Sequence, residues 1–327
     1  QHLFDTGHEV GELAKRYFNG GVEIEAEYYE INKAIKYTED AIRQGEDVIF
    51  EATALSPDGA FSRIDILEKV DGSEAWDLIE VKASTGVRDY HLDDITFQRY
   101  AFANAGYEIR NSILMHINNQ YVRAGELNVN KLFSLTDCTE IVQEKITEID
   151  GNLKNLIRVV NSGAEPVIDI GDHCNCPFAC DYIHHCWQHI PEYSVYDVFG
   201  GRKLEELLLN DVVEIADIPD DFETTERQYI DIQSFKDNQV NINKEAIKGF
   251  LNTLIYPLYF LDYETIFPAV PLYDNTRPYQ QIPFQFSLHI QEKKGGDLKH
   301  DEFLYMEVSD PRPDFTKSLI ENCGEIG

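Results

Sequence analysis

Apolar residues in the first part of the chain follow a helical spacing and then a strand spacing. Within residues 5–19 they recur every three or four positions, which predicts a helix. A second helix is predicted over residues 32–45, ending at Gly45, because glycine is favoured just past a helix end. Three strands are predicted next, at 47–55, 60–70 and 76–84, with polar turns between them.

A third helix is predicted over residues 91–106, and a further strand over 110–118. The order is therefore helix, helix, three meandering strands, helix, strand. This order predicts an α/β fold (α+β, with a mixed sheet), not a doubly wound parallel one.

The later part of the chain changes character. A long, mostly polar helix is predicted over 137–163, and a cysteine-rich segment follows at 172–187. A buried strand is predicted at 258–266, with partner strands at 282–290 and 301–308. We therefore expect three parts: a first domain over 1–190 that includes the cysteines, an acidic helical connector over 191–250, and the start of a second, incomplete domain over 251–327.

Length and composition add limits to this picture. The chain has 327 residues and is 43% hydrophobic, which is ample for a sizeable core. It has no run of eighteen apolar residues and no leader of the secretory type, so we expect a cytoplasmic protein with no membrane partner. Because the first residue is Gln1 and not Met, the chain is expected to be a fragment.

The charge is strongly negative: 28 Lys and Arg stand against 59 Asp and Glu, a formal net charge of −31. Surfaces that bind nucleic acid broadly are normally basic. Any contact with nucleic acid is therefore expected to be local, or mediated by bound metal cations.

Charged residues interrupt the apolar pattern of the hairpin at 61–84. Glu80 and Lys82 share a strand face because side chains alternate, and hairpin pairing can place Asp65 beside Glu80. Two carboxylates form a hard-oxygen site for Mg²⁺ or Mn²⁺, which activates water and stabilises phosphoryl oxygens. Lys82 can orient or deprotonate that water, or stabilise negative charge on a phosphate.

A Glu-x-Lys pair on a strand is also common as a solvated ion pair. Three features favour a site here. Asp65 lies between two isoleucines in the sequence, the following helix carries Gln98 and Tyr100, and Glu51 lies in the preceding strand, although Glu51 alone reads as a surface residue.

The stretches "RID", "EVK" and "FQRY" together resemble the PD-(D/E)xK nuclease superfamily, in its RecB-like exonuclease branch. The resemblance implies a restriction-endonuclease-like core in which Asp65 and Glu80 hold the metal, Lys82 is catalytic and Gln98 completes the site. Many members carry a histidine in the first helix. Here Gly11 stands at that place, and Glu12 is the substitute metal ligand to consider, with His8 one turn earlier.

Four of the six cysteines lie within thirteen residues: Cys174, Cys176, Cys180 and Cys186. Such a cluster can hold zinc or an iron–sulfur cluster. RecB-like nuclease families with three cysteines after the core imply a structural [4Fe–4S] cluster, here on the first, third and fourth of these. Cys176, or a cysteine before Gln1, is then the fourth ligand, and Zn²⁺ remains the alternative.

Asp262 and Glu264 share one face of the strand at 258–266. An Asp-x-Glu on a first strand resembles the DnaQ-like (RNase H fold) exonucleases, where it binds metal. Nearly the whole chain is similar to an uncharacterised bacterial family catalogued as a domain of unknown function, in which a RecB-like nuclease joins a DnaQ-like domain. The later acidic motifs of such an exonuclease are expected beyond Gly327.

Three functions follow from these observations. The first is a metal-dependent nuclease, in particular an exonuclease, that hydrolyses DNA in repair, recombination or defence, with RNA left open and no helicase partner identified. The second is a non-catalytic scaffold that binds nucleic acid or protein and contains a structural metal cluster. The net charge of −31 favours this second function. The third is a phosphohydrolase of small nucleotides, which needs no basic groove.

Overall fold

A computed structural model describes residues 2–18 and 20–324, with the side chains of residues 2 and 3 outside that description. Asn19, at the predicted end of the first helix, and the terminal residues Gln1 and Gly327 lie outside the described residues.

The protein is a mixed α/β structure. Its strands are β1 Val22–Glu23, β2 Val48–Leu55, β3 Phe61–Lys69, β4 Trp76–Lys82, β5 Ile109–Ile117, β6 Phe133–Asp137, β7 Leu258–Ile266, β8 Ile282–Gln291 and β9 Leu298–Leu304. Its helices are α1 His2–Lys15, α2 Ile31–Gln44, α3 Asp89–Asn104, α4 Val129–Leu132, α5 Thr139–Asn161, α6 Ile183–Cys186, α7 Val195–Val198, α8 Gly201–Leu209, α9 Glu226–Lys236, α10 Lys244–Leu251 and α11 Arg312–Asn322. Among the described residues, no helix combines the length and apolar character needed to cross a membrane.

The larger sheet has six strands in the order β1-β2-β3-β4-β5-β6. The β1–β2 and β4–β5 pairs are parallel, and the other three pairs are antiparallel. The prediction of a mixed sheet is thus confirmed, and the parallel β4–β5 pair is connected through α3, as a parallel crossover requires.

Apolar side chains pack on both faces of this sheet. One core contains residues of α2, α3 and α5, such as Ala34, Phe102 and Val142. The other contains Val10 and Leu13 of α1. The sheet is therefore covered on both sides, which explains why its central strands are almost continuously apolar.

The segment 267–281, which precedes β8, also covers the α1 side of the sheet. Val270 is buried in the core on that side. The Arg123 guanidinium donates hydrogen bonds from Nη1 to the carbonyls of Pro271 (2.9 Å) and Leu272 (3.0 Å). This segment is thus packed with the larger sheet.

The smaller sheet has the order β7-β8-β9, and α11 packs on one of its faces through Phe315. The prediction that residues 258–266 form a strand is confirmed, but the expectation that this strand is buried is wrong. Phe260 is 53% exposed and Tyr263 is 54% exposed. The reason is that β7 is an edge strand.

Contacts divide the chain into two units. Residues 1–165 and 256–327 form one unit, and Pro166–Ile255 forms the other. The second unit has a small apolar core of its own, which includes Val195, Leu207 and Ile232. This division groups the four clustered cysteines with the short helices that follow them, whereas the sequence suggested boundaries at 190 and 250.

Candidate active site

Three carboxylates occupy neighbouring positions on three adjacent strands. The β3–β4 ladder pairs Ile66 with Ile79, so the next positions, Asp65 and Glu80, face each other. On the other side of β3, the β2–β3 ladder leaves out one position on each strand, where Glu51 faces Asp65. The strand register therefore brings Glu51, Asp65 and Glu80 into one row across the sheet.

Glu51 differs from the surface residue that the sequence suggested. It is only partly exposed, and its φ of 58° lies in the left-handed region, which few residues other than glycine adopt. Burial, and then the nearby charge of Asp65, raise the pKa of the Glu51 carboxyl. Glu51 is thus a third acidic group beside the predicted pair.

Asp65 is fixed by the backbone of the next strand. Its Oδ2 accepts a hydrogen bond of 2.7 Å from the Val81 N–H, and its carboxyl lies within hydrogen-bonding reach of Glu80. Burial raises the pKa of Asp65, and this effect outweighs the opposing effects of the Val81 hydrogen bond and the Lys82 charge.

Glu80 is only 7% exposed. Its Oε1 accepts a hydrogen bond of 2.7 Å from Lys82 Nζ, and its Oε2 accepts one of 2.9 Å from Gln98 Nε2. Burial and the charge of Asp65 raise the pKa of Glu80 well above its ordinary value of 4.5. A cation placed beside this pair would therefore be strongly favoured.

Lys82 is shared between two carboxylates. Its Nζ lies 2.7 Å from Glu80 Oε1 and 2.5 Å from Asp94 Oδ2. Burial by itself lowers the pKa of Lys82, but the two carboxylates outweigh it and raise the pKa above its ordinary 10.5. The side chain is therefore an ammonium at neutral pH.

Gln98 completes the cluster from helix α3. It is 5% exposed and donates from Nε2 to Glu80, while its Oε1 is buried without a hydrogen-bond partner. Asp94 lies one helical turn earlier and was missed in the sequence. The "DDITFQ" stretch contains the signal, because positions four apart share a helix face.

Tyr100, which the sequence suggested beside Gln98 in the site, packs instead in a small core with Ala60, and both Tyr100 and Tyr279 have structural roles. The Tyr100 hydroxyl donates to the Asp58 carboxylate in the β2–β3 turn, which raises the pKa of Tyr100 to about 12. The Tyr279 hydroxyl donates to the Ala83 carbonyl, next to Lys82. Nothing in the sequence around Tyr279 indicated this contact, because 196 residues separate the two partners.

The donor set suits a small divalent cation. Asp65 and Glu80 supply carboxylate oxygens, and Gln98 Oε1 is a buried acceptor that lacks a donor. Mg²⁺ is commonly held by one or two carboxylates, with water and substrate phosphate filling the other positions. The described part of the chain contains no group of three or more His, Cys, Asp or Glu arranged to hold a metal ion.

Glu12, the other candidate ligand in the first unit, is bound by Lys15, whose charge is also one of the effects that lower the pKa of Glu51. Its carboxylate is exposed and accepts a hydrogen bond of 2.7 Å from Lys15 Nζ, which also bonds Glu23. The hydrogen bond from Lys15 lowers the pKa of Glu12. Glu12 thus belongs to a surface ion-pair network.

The four clustered cysteines differ in their exposure. Cys174 is buried, Cys176 and Cys180 are exposed, and Cys186 is partly exposed. Among the described residues, which include all four cysteines, no group of three or more His, Cys, Asp or Glu is arranged to hold a metal ion. A [4Fe–4S] cluster on these cysteines and the alternative Zn²⁺ ion both stay predictions of the sequence.

Asp262 and Glu264 lie on the exposed strand β7. In the ladder with β8 they pair with Ser287 and Gln285. Both acidic side chains are exposed, so the structure places them on an open sheet face.

Comparison with known proteins gives one family match. Residues 259–327 match the model of a family described as "Domain of unknown function (DUF2779)". Comparisons with curated proteins and with solved structures found no significant match. The matched region contains β7–β9, α11 and the segment 267–281, and the Asp65–Glu80 cluster lies outside it.

Proposed function

We propose that the protein is a metal-dependent nuclease that hydrolyses DNA phosphodiester bonds at the cluster around Asp65 and Glu80. The observation that carries this proposal is a pair of facing carboxylates, a buried Glu80 and a partly exposed Asp65, held between a lysine ammonium and a glutamine with a free acceptor oxygen. Buried carboxylates with raised pKa values beside specific partners are typical of functional sites.

In this proposal Asp65 and Glu80 hold Mg²⁺ or Mn²⁺. A divalent ion there supplies Lewis-acid stabilisation of a phosphoryl oxygen. The Lys82 ammonium, held by two carboxylates, stabilises negative charge that develops on the phosphate. Because it stays protonated, Lys82 acts as a charge and not as a proton acceptor.

Gln98 has a separate role in the same site. Its amide is anchored by the hydrogen bond to Glu80, which leaves Oε1 able to accept a hydrogen from water. A water held in this way has a fixed orientation toward a phosphorus atom, and fixed orientation of reactants contributes strongly to rate.

The net charge of −31 favours a second candidate, a scaffold that binds without cutting. In that case the acidic row is only a buried ion-pair network. Cleavage distinguishes the two functions, because a scaffold binds nucleic acid or protein and leaves phosphodiester bonds intact.

The test is an assay on end-labelled single-stranded and double-stranded DNA, an RNA of the same sequence, and a mononucleotide, with Mg²⁺, with Mn²⁺ and with EDTA. We expect metal-dependent cleavage of DNA that EDTA abolishes. Release of phosphate from the mononucleotide alone would indicate a small-nucleotide phosphohydrolase. No cleavage of any substrate in either metal would contradict the nuclease proposal and favour the scaffold.

A further inference from the structure

Arg63 lies two residues before Asp65 on strand β3, and the two side chains share a strand face. Its Nη2 atom is buried and has no hydrogen-bond partner. Guanidinium groups in protein interiors are normally paired, because an unmet N–H donor away from water is unfavourable. Arg63 as a whole is partly exposed, so one end of its guanidinium lacks an acceptor among the described residues while another part of the side chain stays accessible.

The residues next to Arg63 do not supply the acceptor that its Nη2 atom lacks. The charge of Arg63 acts on Glu51, where it is one of the effects that lower the carboxyl pKa, yet burial and Asp65 keep that pKa raised overall. In the ladder Arg63 pairs with Thr53, whose hydroxyl donates to the Glu51 carbonyl. Although the chain has 59 Asp and Glu residues, the Arg63 Nη2 atom has no oxygen acceptor among the described residues.

The position suits an anionic ligand. Nη2 is one end of a planar fork whose geometry matches the oxygens of a phosphate. A phosphate bound there would lie along the same strand as Asp65, beside the acidic row. The Arg63 guanidinium would also supply a local positive contact on a protein whose net negative charge otherwise repels a polyanion.

We propose that the Arg63 guanidinium binds a phosphate oxygen of the substrate strand and so positions that strand over the Asp65–Glu80 carboxylates. This inference rests on the proposed nuclease function. It assigns Arg63 as a positioning residue, since the chemistry is performed by the cluster itself.

The test measures binding and not only cleavage. Fluorescence anisotropy of a labelled DNA oligonucleotide in Ca²⁺ buffer gives Kd over a series of salt concentrations for the full chain and for Arg63→Gln. Arg43→Gln is the matched control, because it removes the same charge from an exposed helix residue paired with Asp40. We expect Arg63→Gln to weaken binding about tenfold and to reduce the slope of log K against log salt by about 0.7 to 0.9.

Thermal unfolding provides the second readout. Because Nη2 has no partner, we expect Arg63→Gln to have a melting temperature equal to or above that of the wild type, and the oligonucleotide to raise the melting temperature of the wild type more than that of the variant. A lower melting temperature with an unchanged salt slope would show a structural role and overturn the assignment.

The outcomes separate the two proposals. If the wild type cuts DNA and Arg63→Gln binds with the same Kd and slope, the Arg63 assignment is overturned and the nuclease stands. If the wild type binds without cutting, and Arg63→Gln loses affinity and slope, the nuclease proposal fails while the phosphate contact stands. If the wild type does not bind DNA, both are overturned.

Discussion

The Lys82 ammonium lies 2.7 Å from the Glu80 carboxylate, two residues away on the same strand. This contact explains why charged residues interrupt an otherwise apolar hairpin. Each charge of this pair is the partner of the other, and burying a charge without a partner is unfavourable. The pair also has an additional carboxyl group on each side, Asp65 and Asp94, so three acidic groups surround one ammonium, an excess that suits a bound cation.

Replacement of Lys82 tests the catalytic role of the ammonium. We expect Lys82→Ala to reduce the cleavage rate by about 10² to 10³, the usual cost of removing one charge-stabilising group. The matched control is Lys145→Ala, which breaks a surface pair with Asp93. Single-turnover cleavage with excess enzyme provides the measurement. Equal rates for Lys82→Ala and the control would show that the ammonium is not used.

The raised pKa of Glu80 predicts a dependence of stability on pH. Above about 4.5 the unfolded chain loses the Glu80 proton first, while the folded chain keeps it until the raised pKa is passed. The contribution of Glu80 to the free energy of unfolding is therefore fully present below about pH 4.5. It is lost as the pH rises from there through the raised pKa of the folded protein. Glu80→Gln cannot ionise, so its melting temperature in EDTA should rise relative to the wild type from pH 4.5 upward. A constant difference across pH would contradict the raised pKa.

Replacement of Gln98 by methionine removes both the hydrogen bond to Glu80 and the free Oε1 while keeping the side-chain volume. We expect a loss of roughly tenfold or more in cleavage rate, as is typical for groups that orient a site. We expect the free energy of unfolding to fall by about 1 to 3 kcal/mol, because the buried Glu80 carboxylate loses the hydrogen bond from Nε2. Gln44→Met, on the exposed side of α2, is the control for rate and stability. A large drop in stability at an unchanged rate would assign Gln98 to the core alone.

The Tyr279 hydroxyl ties the segment 267–281 to the end of β4 at Ala83. We expect Tyr279→Phe to lower the free energy of unfolding by about 1 kcal/mol, the usual contribution of one hydrogen bond. Tyr28→Phe, at a ring that is 81% exposed, should change nothing. Chemical denaturation of both variants gives the comparison. Identical midpoints for the two would mean that this contact does not form in solution.

The cysteines can be tested by their reactivity. If they bind no metal, Cys176 and Cys180 should react rapidly with iodoacetamide, whereas the buried Cys138 and Cys174 should react slowly. Mass spectrometry of timed samples gives the rate at each position, and a denatured sample gives the unprotected rate. Slow reaction at all four clustered cysteines, together with iron or zinc in the purified protein, would contradict this expectation and restore the predicted cluster.

Much of the fold was predictable, because its strands and helices carry clear periodicity. The β3–β4 hairpin, with Asp-Gly-Ser at its turn, fixes its own register, so the facing positions of Asp65 and Glu80 could be predicted. The short strands β1 and β6 were missed, since two to five residues show no readable alternation. The exposure of β7 was also missed, because an apolar run has the same pattern on an edge strand as in a core.

The site was only partly predictable, for a physical reason. Side chains within one hairpin or one helix turn are related by local geometry. Glu51 takes part through a positive φ, and Tyr279 through a contact with a distant strand, neither of which leaves a pattern in the sequence. The burial of the Arg63 Nη2 atom depends likewise on packing from other elements.

The most direct test of the central claim is cleavage of one end-labelled DNA in Mg²⁺ by the wild type and by Glu80→Gln, purified side by side. The glutamine keeps the size of the side chain and removes the charge that holds the metal. We expect cleavage by the wild type and at least about a hundredfold loss in the variant, which still folds. Equal cleavage by both would show that the activity does not arise at Glu80 and would contradict the account.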